Sequence, residues 1–407
     1  MAWVTDQRPT ATELAACVQC GLCLPHCPTF RLTGLETASP RGRLAAMNAI
    51  SDEVIPFDAT FAKAMTFCLN CRACESVCPS LVPFGRAMEG ARVELTAQLP
   101  SATRRLRHLI LGRVLPSTRL MAAATAMVKV LQRTGAGRLL PKRWRLGLVG
   151  MRPIARGPRL AGEVFEPAVE ARGTVGLLSG CVMEPWFPAV HKAVVEVLVA
   201  AGYRVVVPVA QTCCGALAAH DGAAETANRL ARRNVAAFAG VDVVVADAAG
   251  CSAHLKEYGH WTPGGDALAA RVRDVTEFVA DLIAAGDLPL SSVDRGPVAI
   301  QDPCHLRHAQ RILIAPRQIL VAAGYQPVEV DPDGLCCGAA GIYSLLEPEA
   351  AAELGRRKAA QVRQTGSTLV ASANPGCEMQ LRSHLDDWFR IVHPVELYHQ
   401  AFIGEGH

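Results

Sequence analysis

Two matching cysteine runs near the start of the chain restrict its fold more than any other feature of the sequence. Each run reads C-x2-C-x2-C-x3-C-P, and together the runs hold eight of the sixteen cysteines. The runs are Cys17, Cys20, Cys23, Cys27 and Cys68, Cys71, Cys74, Cys78. Pro28 and Pro79 follow the runs, and because proline fixes φ and removes a backbone donor, each ends a local turn. The repeated run therefore predicts two thiol centres of one kind.

This is the spacing of bacterial two-cluster ferredoxins. There, three closely spaced thiolates hold three corners of a [4Fe-4S] cube and the fourth reaches the other cluster. The pattern predicts one cluster on Cys17, Cys20, Cys23 and Cys78, and a second on Cys68, Cys71, Cys74 and Cys27. Zinc is the alternative, but a zinc ribbon pairs two C-x2-C knuckles and has no use for the further cysteines followed by proline. The sequence therefore favours iron-sulfur clusters as the cofactors.

The segment between Cys27 and Cys68 is predicted to be helical. Its 40 residues contain two stretches, at residues 43–50 and 59–67, in which apolar positions recur with a helical period. A compact β-rich ferredoxin has a shorter spacer. The sequence therefore favours a helical variant of the two-cluster domain.

The second half of the sequence contains an internal repeat. The segments around Cys181 and Cys213 recur 123 residues later, around Cys304 and Cys336. Each copy reads as a strand, a cysteine, a helix, a strand, a Cys-Cys-Gly triplet, a helix, a strand, a Gly-Cys pair and a last helix. This alternation predicts two parallel sheets covered by helices.

Eight cysteines of the repeat are candidate cluster ligands or redox thiols. They are Cys181, Cys213, Cys214, Cys251, Cys304, Cys336, Cys337 and Cys377. They lie just past predicted strand ends, and ligands collect at this edge of open α/β sheets. Gly215 and Gly338 would let the backbone approach such a ligand closely. Two alternatives stay open, because single cysteines are common in ordinary cores and a vicinal pair can be redox-active without metal.

Two histidines near these cysteines are weaker candidates. His305 directly follows Cys304, and His254 stands three residues after Cys251. A lone histidine in a loop is more often solvated or hydrogen-bonded than metal-bound, so neither is predicted to be a ligand. The first copy has no counterpart of His305, so the two thiol sets are expected to differ chemically.

A basic block separates the amino-terminal part from the repeat. Residues 95–162 contain no Asp or Glu but 14 of the 41 Lys and Arg residues, which leaves 27 basic and 37 acidic residues elsewhere. The basic residues are Arg104, Arg105, Arg107, Arg113, Arg119, Lys129, Arg133, Arg138, Lys142, Arg143, Arg145, Arg152, Arg156 and Arg159. Leu106, Leu109 and Leu115 give the block an apolar side as well. Such a stretch suits an acidic partner or an anionic membrane surface, and a solvated helical connector is the alternative.

The sequence argues against several other classes of protein. An apolar content of 50% excludes disorder, no run reaches the roughly 18 apolar residues of a membrane span, and residues 1–17 show no secretory signal. No G-x-G-x-x-G fingerprint follows a strand and no P-loop occurs, so hydride chemistry is expected on another chain. Nucleic-acid binding is not expected, because Trp144 is the only aromatic residue of the basic block. The expected compartment is the reducing cytoplasm.

Together these motifs resemble the iron-sulfur subunits of bacterial glycolate oxidase, also called glycolate dehydrogenase. The resemblance covers nearly the whole chain and includes residues 39–43, 301–305, 374–377 and 393–396 besides the two cysteine runs. The fullest pattern of the cysteine-rich CCG domain closes with C-x2-C, whereas His254 and Gln380 stand at that last position here. This departure argues against the noncubane cluster of heterodisulfide reductases.

The patterns and the resemblance together imply an α+β multidomain protein. A helical ferredoxin-type domain with two [4Fe-4S] clusters is expected at residues 1–95 and a basic helical connector at 96–170. Two pseudo-repeated α/β CCG domains, with room for further iron-sulfur clusters, are expected at 171–290 and 291–407.

The resemblance also implies a function, that of an electron-transfer subunit without catalytic residues of its own. A partner flavoprotein would carry FAD and oxidise glycolate to glyoxylate. This chain would pass the electrons toward a quinone, in the cytoplasm or at the inner face of the cytoplasmic membrane, with membrane contact through residues 104–159. Related families leave three alternatives: the iron-sulfur subunit of an anaerobic glycerol-3-phosphate dehydrogenase, that of a lactate dehydrogenase, and a thiol enzyme of heterodisulfide reductase type. A purely structural metal module is a further rival.

Overall fold

The computed structural model describes residues 3–136, 150–153 and 160–402. These residues form a helical domain, a bent helix pair and two α/β domains. The helices of the first domain are α1 (Ala11–Ala15), α2 (Pro28–Thr33), α3 (Pro40–Ser51), α4 (Ala59–Thr66), α5 (Ala73–Ser76) and α6 (Phe84–Gln98), with a 3-10 turn at Glu36–Ala38. The helices predicted at residues 43–50 and 59–67 are confirmed as α3 and α4.

Local sequence explains where these helices begin. Proline occupies the first position of α2 and α3, where its fixed φ suits a helix and its missing N–H would have no partner. The Ser39 hydroxyl accepts a hydrogen bond from the Gly42 N–H, and the Asp58 carboxylate caps α4 in the same way. Cys27 is the residue before α2, so the start of this helix determines where the Cys27 thiol lies.

A basic, bent pair of helices follows the first domain. Helix α7 (Ala102–Leu109) continues into a π-helical turn at Ile110–Val114, and α8 (Thr118–Thr134) begins after Ser117. Among the described residues, no single helix is long and apolar enough to cross a membrane. The two arms of this pair meet at 107°. They reach the length and apolar composition of a membrane span only when they are taken together.

Two α/β domains form the rest of the molecule, with strand orders β1-β3-β2-β4-β5 and β7-β6-β8-β9. The strands are β1 (Val164–Phe165), β2 (Thr174–Leu178), β3 (Arg204–Val206), β4 (Val243–Ala246), β5 (Val272–Asp274), β6 (Pro297–Gln301), β7 (Gln326–Glu329), β8 (Leu369–Ser372) and β9 (Arg390–Val392).

Helices cover both faces of these sheets. They are α9 (Met183–Trp186), α10 (Pro188–Ala200), α11 (Ala216–His220), α12 (Ala224–Ala237), α13 (Ala249–Leu255), α14 (Gly265–Ala269), α15 (Val275–Ala284), α16 (Ile314–Ala322), α17 (Tyr343–Leu346), α18 (Pro348–Gln364), α19 (Pro375–Arg382) and α20 (Pro394–Phe402), with a 3-10 turn at Tyr258–His260 and a π-helical turn at His305–Ala309. The predicted order of strand, cysteine and helix in each copy is therefore confirmed.

The central strands hold equivalent positions in the two sheets. In the first sheet, β2 pairs in parallel with β3 and β4, so that Val175 lies opposite Val205 and Val243. In the second sheet, β6 pairs in parallel with β7 and β8, and Ala299 lies opposite Val370. Because both central strands are apolar and buried, their carboxyl ends carry the cysteine loops to the same edge of each domain.

Three strands differ from the sequence prediction. Strand β1 pairs antiparallel with β3, so the first sheet is not wholly parallel, and β1 precedes residue 171, where the sequence predicts the first CCG domain to begin. Strands β5 and β9 extend each sheet beyond the predicted three strands. They were not predicted because three residues are too few to show an alternating pattern.

The two α/β domains share one hydrophobic core. Helix α20 of the second domain packs against α10 of the first, and Val395 and Tyr398 are buried together with Val194 and Val197. The Tyr398 hydroxyl also donates a hydrogen bond to the Pro289 carbonyl at 2.7 Å. The repeated halves are thus held as one body and not as two independent domains.

Candidate functional site: four thiol sets

The first thiol set lies at the surface of the helical domain. Cys17, Cys20, Cys23 and Cys78 line one small cavity, which Cys74 of the second set also borders. The Cys20 side chain is exposed and the other three are half-buried. Burial raises the pKa of Cys23. The structure thus places Cys78, from the second run, beside the three leading cysteines of the first.

The second thiol set is buried. Cys27, Cys68, Cys71 and Cys74 are all buried, although Cys27 comes from the other run. Desolvation raises the pKa of the Cys71 and Cys74 thiols well above its ordinary value. A buried thiolate is stable when iron takes up its charge, so this set fits a cluster better than it fits free thiolates.

A buried cation beside the second set also fits an anionic cluster. The Arg43 side chain is 1% exposed, and its guanidinium donates to the carbonyls of Ala38 at 2.7 Å and Ala64 at 2.8 Å. It also donates to Thr29 Oγ1, which lies 3.3 Å from Cys27 Sγ. No carboxylate contacts Arg43 among the described residues. A [4Fe-4S] cluster held by four thiolates is negatively charged and would supply the missing anion.

A single zinc ion and a four-iron cube require different separations between their thiolate ligands. Across residues 3–136, 150–153 and 160–402, no group of three or more His, Cys, Asp or Glu side chains is arranged to hold one metal ion. A four-iron cube places each thiolate on a different iron atom, so its ligands lie farther apart than those of one ion.

The third thiol set belongs to the first α/β domain. Cys214 Sγ lies 3.2 Å from Cys251 Sγ. Hydrogen bonding with Cys181 holds the pKa of the Cys213 thiol well below its ordinary value. Gly215 has φ 94°, a left-handed conformation that favours glycine, and it lets the vicinal pair turn into the start of α11.

The fourth thiol set belongs to the second α/β domain. Cys304 Sγ lies 4.0 Å from Cys336 Sγ and 3.7 Å from His305 Nδ1. The hydrogen bond shared with Cys336, aided by the nearby His305, holds the pKa of Cys304 well below its ordinary value. Cys337 and Cys377 are buried in contact with each other. His305 thus touches this set, whereas a valine follows the equivalent cysteine of the third set.

One cavity of about 520 Å³ joins these sets. All eight cysteines of the repeat line it, and so does Cys68 of the second set. The loops that carry the last cysteine of each copy meet here, because the Ala249 N–H donates to the Ala373 carbonyl at 3.1 Å and the Gly250 N–H to Asn374 Oδ1 at 3.3 Å. The carboxyl edges of the two sheets therefore face each other across this cavity.

The second and fourth sets are neighbours. Cys71, Cys304 and Cys336 pack in one buried apolar cluster together with Leu69 and Tyr343. The helix α5, which carries Cys74, contacts the π-helical turn that follows Cys304. No sequence pattern indicated this contact, because it joins segments that are not repeats of each other.

A buried polar junction lies between the helical domain and the third set. His220 Nδ1 lies 2.6 Å from Glu89 Oε1 and 3.2 Å from Asn70 Nδ2, and its ring stacks on that of His305 with centroids 5.3 Å apart. Burial and the nearby His305 lower the pKa of His220 to about 3. Burial lowers the pKa of His254 to about 4, and neither of its ring nitrogens has a hydrogen-bond partner among the described atoms.

His220 and Glu89 were not predicted to be part of this site. In the repeat, His220 occupies the position that Tyr343 holds 123 residues later. Both residues face the helical domain, because the Tyr343 hydroxyl donates to the Phe67 carbonyl at 3.3 Å. Aligning the two copies beyond their cysteines would have shown this pair of positions. Glu89 gives no such signal, since it lies in an ordinary helical pattern.

The basic block differs from its prediction in part. The Arg107 guanidinium pairs with Asp221 at 2.9 Å, Arg104 donates to the Leu95 and Leu99 carbonyls, and Arg152 pairs with Glu378 and Glu396. These three side chains are therefore committed within the chain and are not free to bind a partner. The predicted residues Arg138, Lys142, Arg143, Trp144, Arg145, Arg156 and Arg159 lie outside the described residues.

Comparison with known families agrees with this architecture. The 4Fe-4S dicluster domain matches residues 13–82, and the cysteine-rich domain, CCG, matches residues 175–256 and 298–382. The fold and the thiol sets together define an iron-sulfur electron-transfer protein. In this class of protein, a helical domain with two [4Fe-4S] clusters is joined to two cysteine-rich α/β domains. The expected α+β fold class is confirmed.

Curated relatives resemble the chain over almost its full length. The probable glycolate oxidase iron-sulfur subunit of Bacillus subtilis (strain 168) is 33% identical over 97% of this chain and 95% of its own length. The glycolate oxidase iron-sulfur subunit of Escherichia coli (strain K12) is 31% identical over 93% of each. One subunit of the fumarate reductase (CoM/CoB) of Methanothermobacter marburgensis is 28% identical over 96% of this chain and 73% of its own length. The chain belongs to the family of glycolate oxidase iron-sulfur subunits.

Proposed function

We propose that this chain passes electrons from a flavoprotein subunit, which carries FAD and oxidises glycolate, toward a quinone. The observation that carries the proposal is the order in which the thiol sets become buried. The exposed Cys20 belongs to the first set, Cys71 of the second set is buried, and Cys304 of the fourth set packs against Cys71 from another domain. In such a series, electrons would enter from a docked partner at the exposed first set. They would then pass through the buried second set to the fourth set, which lies inside the molecule. The names of the relatives point to glycolate as the donor.

The first and second thiol sets of this series supply the cluster ligands. We assign one [4Fe-4S] cluster to Cys17, Cys20, Cys23 and Cys78 and the other to Cys27, Cys68, Cys71 and Cys74. When bound, such clusters carry one electron each, whereas a flavin releases two, so a pair of carriers divides what the flavoprotein delivers. The role of this chain is then to hold the carriers at fixed positions and to exclude water from the second one.

The bent helix pair is proposed to rest on an anionic lipid surface at the inner face of the cytoplasmic membrane. Its exposed basic residues are Arg105, Arg113, Arg119 and Arg133, and its exposed apolar residues include Leu106, Leu109 and Ile110. No Asp or Glu occurs in residues 95–162. Arginines beside apolar side chains pair with lipid phosphates while the apolar groups enter the acyl boundary. This contact would bring the chain to the quinone pool.

A thiol-dependent enzyme is the second candidate function. The third and fourth thiol sets line one cavity, as they would if a disulfide were reduced or formed there. The relative from Methanothermobacter marburgensis, which is named as a subunit of a fumarate reductase (CoM/CoB), is the comparison that favours this candidate. His254 and Gln380, which replace the last cysteine of the fullest CCG pattern, speak against it.

The deciding experiment uses the chain purified without oxygen, together with the subunits that accompany it. Glycolate, lactate and glycerol 3-phosphate are added separately, and the visible sulfide-to-iron absorption is recorded. We expect glycolate to bleach this absorption, because electrons that leave the flavin reduce the clusters.

Other outcomes would change the proposal in defined ways. Bleaching only by lactate or by glycerol 3-phosphate would keep the electron-transfer role and replace the donor. Absence of bleaching by all three substrates, with flavoprotein present, would reject the proposal in favour of the thiol enzyme. Turnover of a small disulfide by the isolated chain would then be the confirming measurement.

A further inference from the structure

We propose that the 520 Å³ cavity between the helical domain and the two α/β domains binds a lipophilic quinone as the electron acceptor of this chain. The inference deepens the proposed function and rests on it, since it locates the acceptor within this subunit. Because the thiols and any clusters on them take up part of this volume, the quinone would occupy the part lined by apolar side chains of elements that carry no cysteine. Its lining is mostly apolar, with Leu111, Leu115, Trp186, Ile342 and Leu346 among the contributing side chains.

The charges around the cavity favour a neutral ligand. The charged residues of its described lining, apart from histidines, are Arg92, Arg104, Asp221 and Asp247. Each already has partners: Arg92 and Arg104 donate to backbone carbonyls, Asp221 pairs with Arg107, and Asp247 contacts His191. Neither arginine of this described lining is left to bind a carboxylate or a phosphate. A hydroxy acid or an anionic disulfide would therefore be desolvated here without compensation, whereas a quinone would not.

The cavity connects the thiols of the repeat to the surface. At its inner part, Cys251, Cys304 and Cys377 line it together with His305, whose Nε2 is buried and has no hydrogen-bond partner among the described atoms. An imidazole nitrogen of this kind can meet a quinone oxygen. Ile110 and Leu345 line the same cavity and are also exposed, so they mark where it opens. Ile110 belongs to the bent helix pair that is proposed to face the lipid.

Clusters alone do not explain the shape of this cavity. Leu111, Leu115 and Trp186 come from segments that carry no cysteine, namely the bent helix pair, including the turn between its two helices, and α9. If the cavity existed only to hold iron and sulfide, these apolar side chains would have no reason to line it. An apolar extension away from the thiols is what the tail of a lipophilic acceptor requires.

The redox chemistry balances without a further reactant. Oxidation of one 2-hydroxy acid to its 2-oxo acid on the partner subunit releases two electrons and two protons. The two electrons reach the bound quinone one after the other through this chain, and the quinone takes up two protons from water to form the quinol. The quinol leaves toward the lipid.

The test measures binding directly and does not depend on turnover. Decylubiquinone, a short-chain ubiquinone, is titrated calorimetrically into the anaerobically purified chain with its clusters in place. Ile110→Asp puts a charge at the opening, and Ala352→Phe fills a half-buried lining position on α18. We expect the Kd to rise at least about tenfold in each variant. Leu120→Asp is the matched control, because Leu120 is an exposed apolar residue of the same helix pair that does not line the cavity.

The outcomes separate this inference from the proposed function. Binding by the wild-type chain that both cavity variants lose and the control keeps, with unchanged cluster absorption, would support the site. No saturable binding of decylubiquinone by the wild-type chain would overturn it, and so would binding that neither variant affects. Binding of hydroxyethyl disulfide in place of the quinone would overturn it in favour of a thiol enzyme. Bleaching by glycolate is measured independently, so either claim can fail while the other stands.

Discussion

The guanidinium of Arg43 is surrounded by backbone carbonyls instead of carboxylates. Its partners are the carbonyls of Ala38 and Ala64 and the hydroxyl of Thr29, which in turn contacts the Cys27 thiol. A cation buried without a counter-ion is costly, so its presence indicates a stable negative charge close by. In the sequence, Arg43 is only one member of a motif shared with relatives. The effect of its charge on the cluster depends on the burial of the guanidinium, and burial cannot be read from the sequence pattern.

Replacing Arg43 should change the potential of one cluster. In Arg43→Gln the reduced cluster loses a nearby positive charge, so we expect its reduction potential to fall by roughly 60 mV, equivalent to about 1.4 kcal/mol for one electron. Redox titration followed by electron paramagnetic resonance measures this shift. Arg43→Lys is the control, since it keeps the charge and should shift the potential much less. Equal shifts in both variants, or none in Arg43→Gln, would contradict the role given to this charge.

At the scale of elements, the bent helix pair shows what periodicity can and cannot predict. The block was predicted to be helical, basic and apolar on one side, and α7 and α8 are helices with exposed Leu106 and Leu109. The sequence could not separate its free arginines from its committed ones. Arg107 pairs with Asp221, which is 114 residues away along the chain, so the pairing depends on the tertiary fold. Only the exposed arginines stay candidates for lipid contact.

Charge reversal of two exposed arginines tests the lipid contact. In the double variant Arg105→Glu, Arg113→Glu, binding to vesicles of phosphatidylglycerol and phosphatidylethanolamine should weaken at least about tenfold, because each basic residue near an anionic surface contributes about 1 kcal/mol. Cosedimentation at low and high salt measures it, and the wild-type chain should lose affinity as salt rises. Arg232→Glu, an exposed arginine on α12, serves as the control. Equal binding by all three proteins would reject the contact.

At the scale of the whole molecule, the domains are joined by close backbone packing around α6. The Arg92 guanidinium donates to the carbonyls of Met65, Cys68 and His220, and so connects the helical domain to α11. Gly222, with φ 79°, lies directly against the Arg92 backbone, and a Cβ at this position would collide with it. The third thiol set is thereby held at a fixed distance from the second.

The packing at Gly222 can be tested by adding one methyl group. Gly222→Ala should lower the free energy of unfolding by at least about 2 kcal/mol, because alanine disfavours this φ and its Cβ meets the Arg92 backbone. Thermal unfolding of the chain with its clusters measures the loss. Gly240→Ala is the control, since no atom lies within 4 Å of a Cβ built there. An equal change in both variants would show that the close contact does not matter for stability.

How much the sequence predicts also depends on scale. The repeat at 123 residues predicted the order of strands, cysteine loops and helices in each copy, since both copies obey one pattern. Strands of two or three residues, such as β1 and β9, carry no periodicity and were not predicted. The sequence also could not predict that the carboxyl edges of the two sheets face each other, or that Cys71 packs with Cys304. They arise from packing between segments that share no pattern.

The enclosure of the second thiol set has a consequence for how the protein matures. Leu69 and Cys71 pack with Cys304 and Tyr343 in one apolar cluster, so the carboxy-terminal domain covers the approach to Cys71 once it has folded. Iron and sulfide then reach this position more easily before the carboxy-terminal domain has folded than after, with the Cys68 side open to the cavity in the folded chain. The order in which metal delivery and domain folding take place would therefore affect how completely this position is loaded.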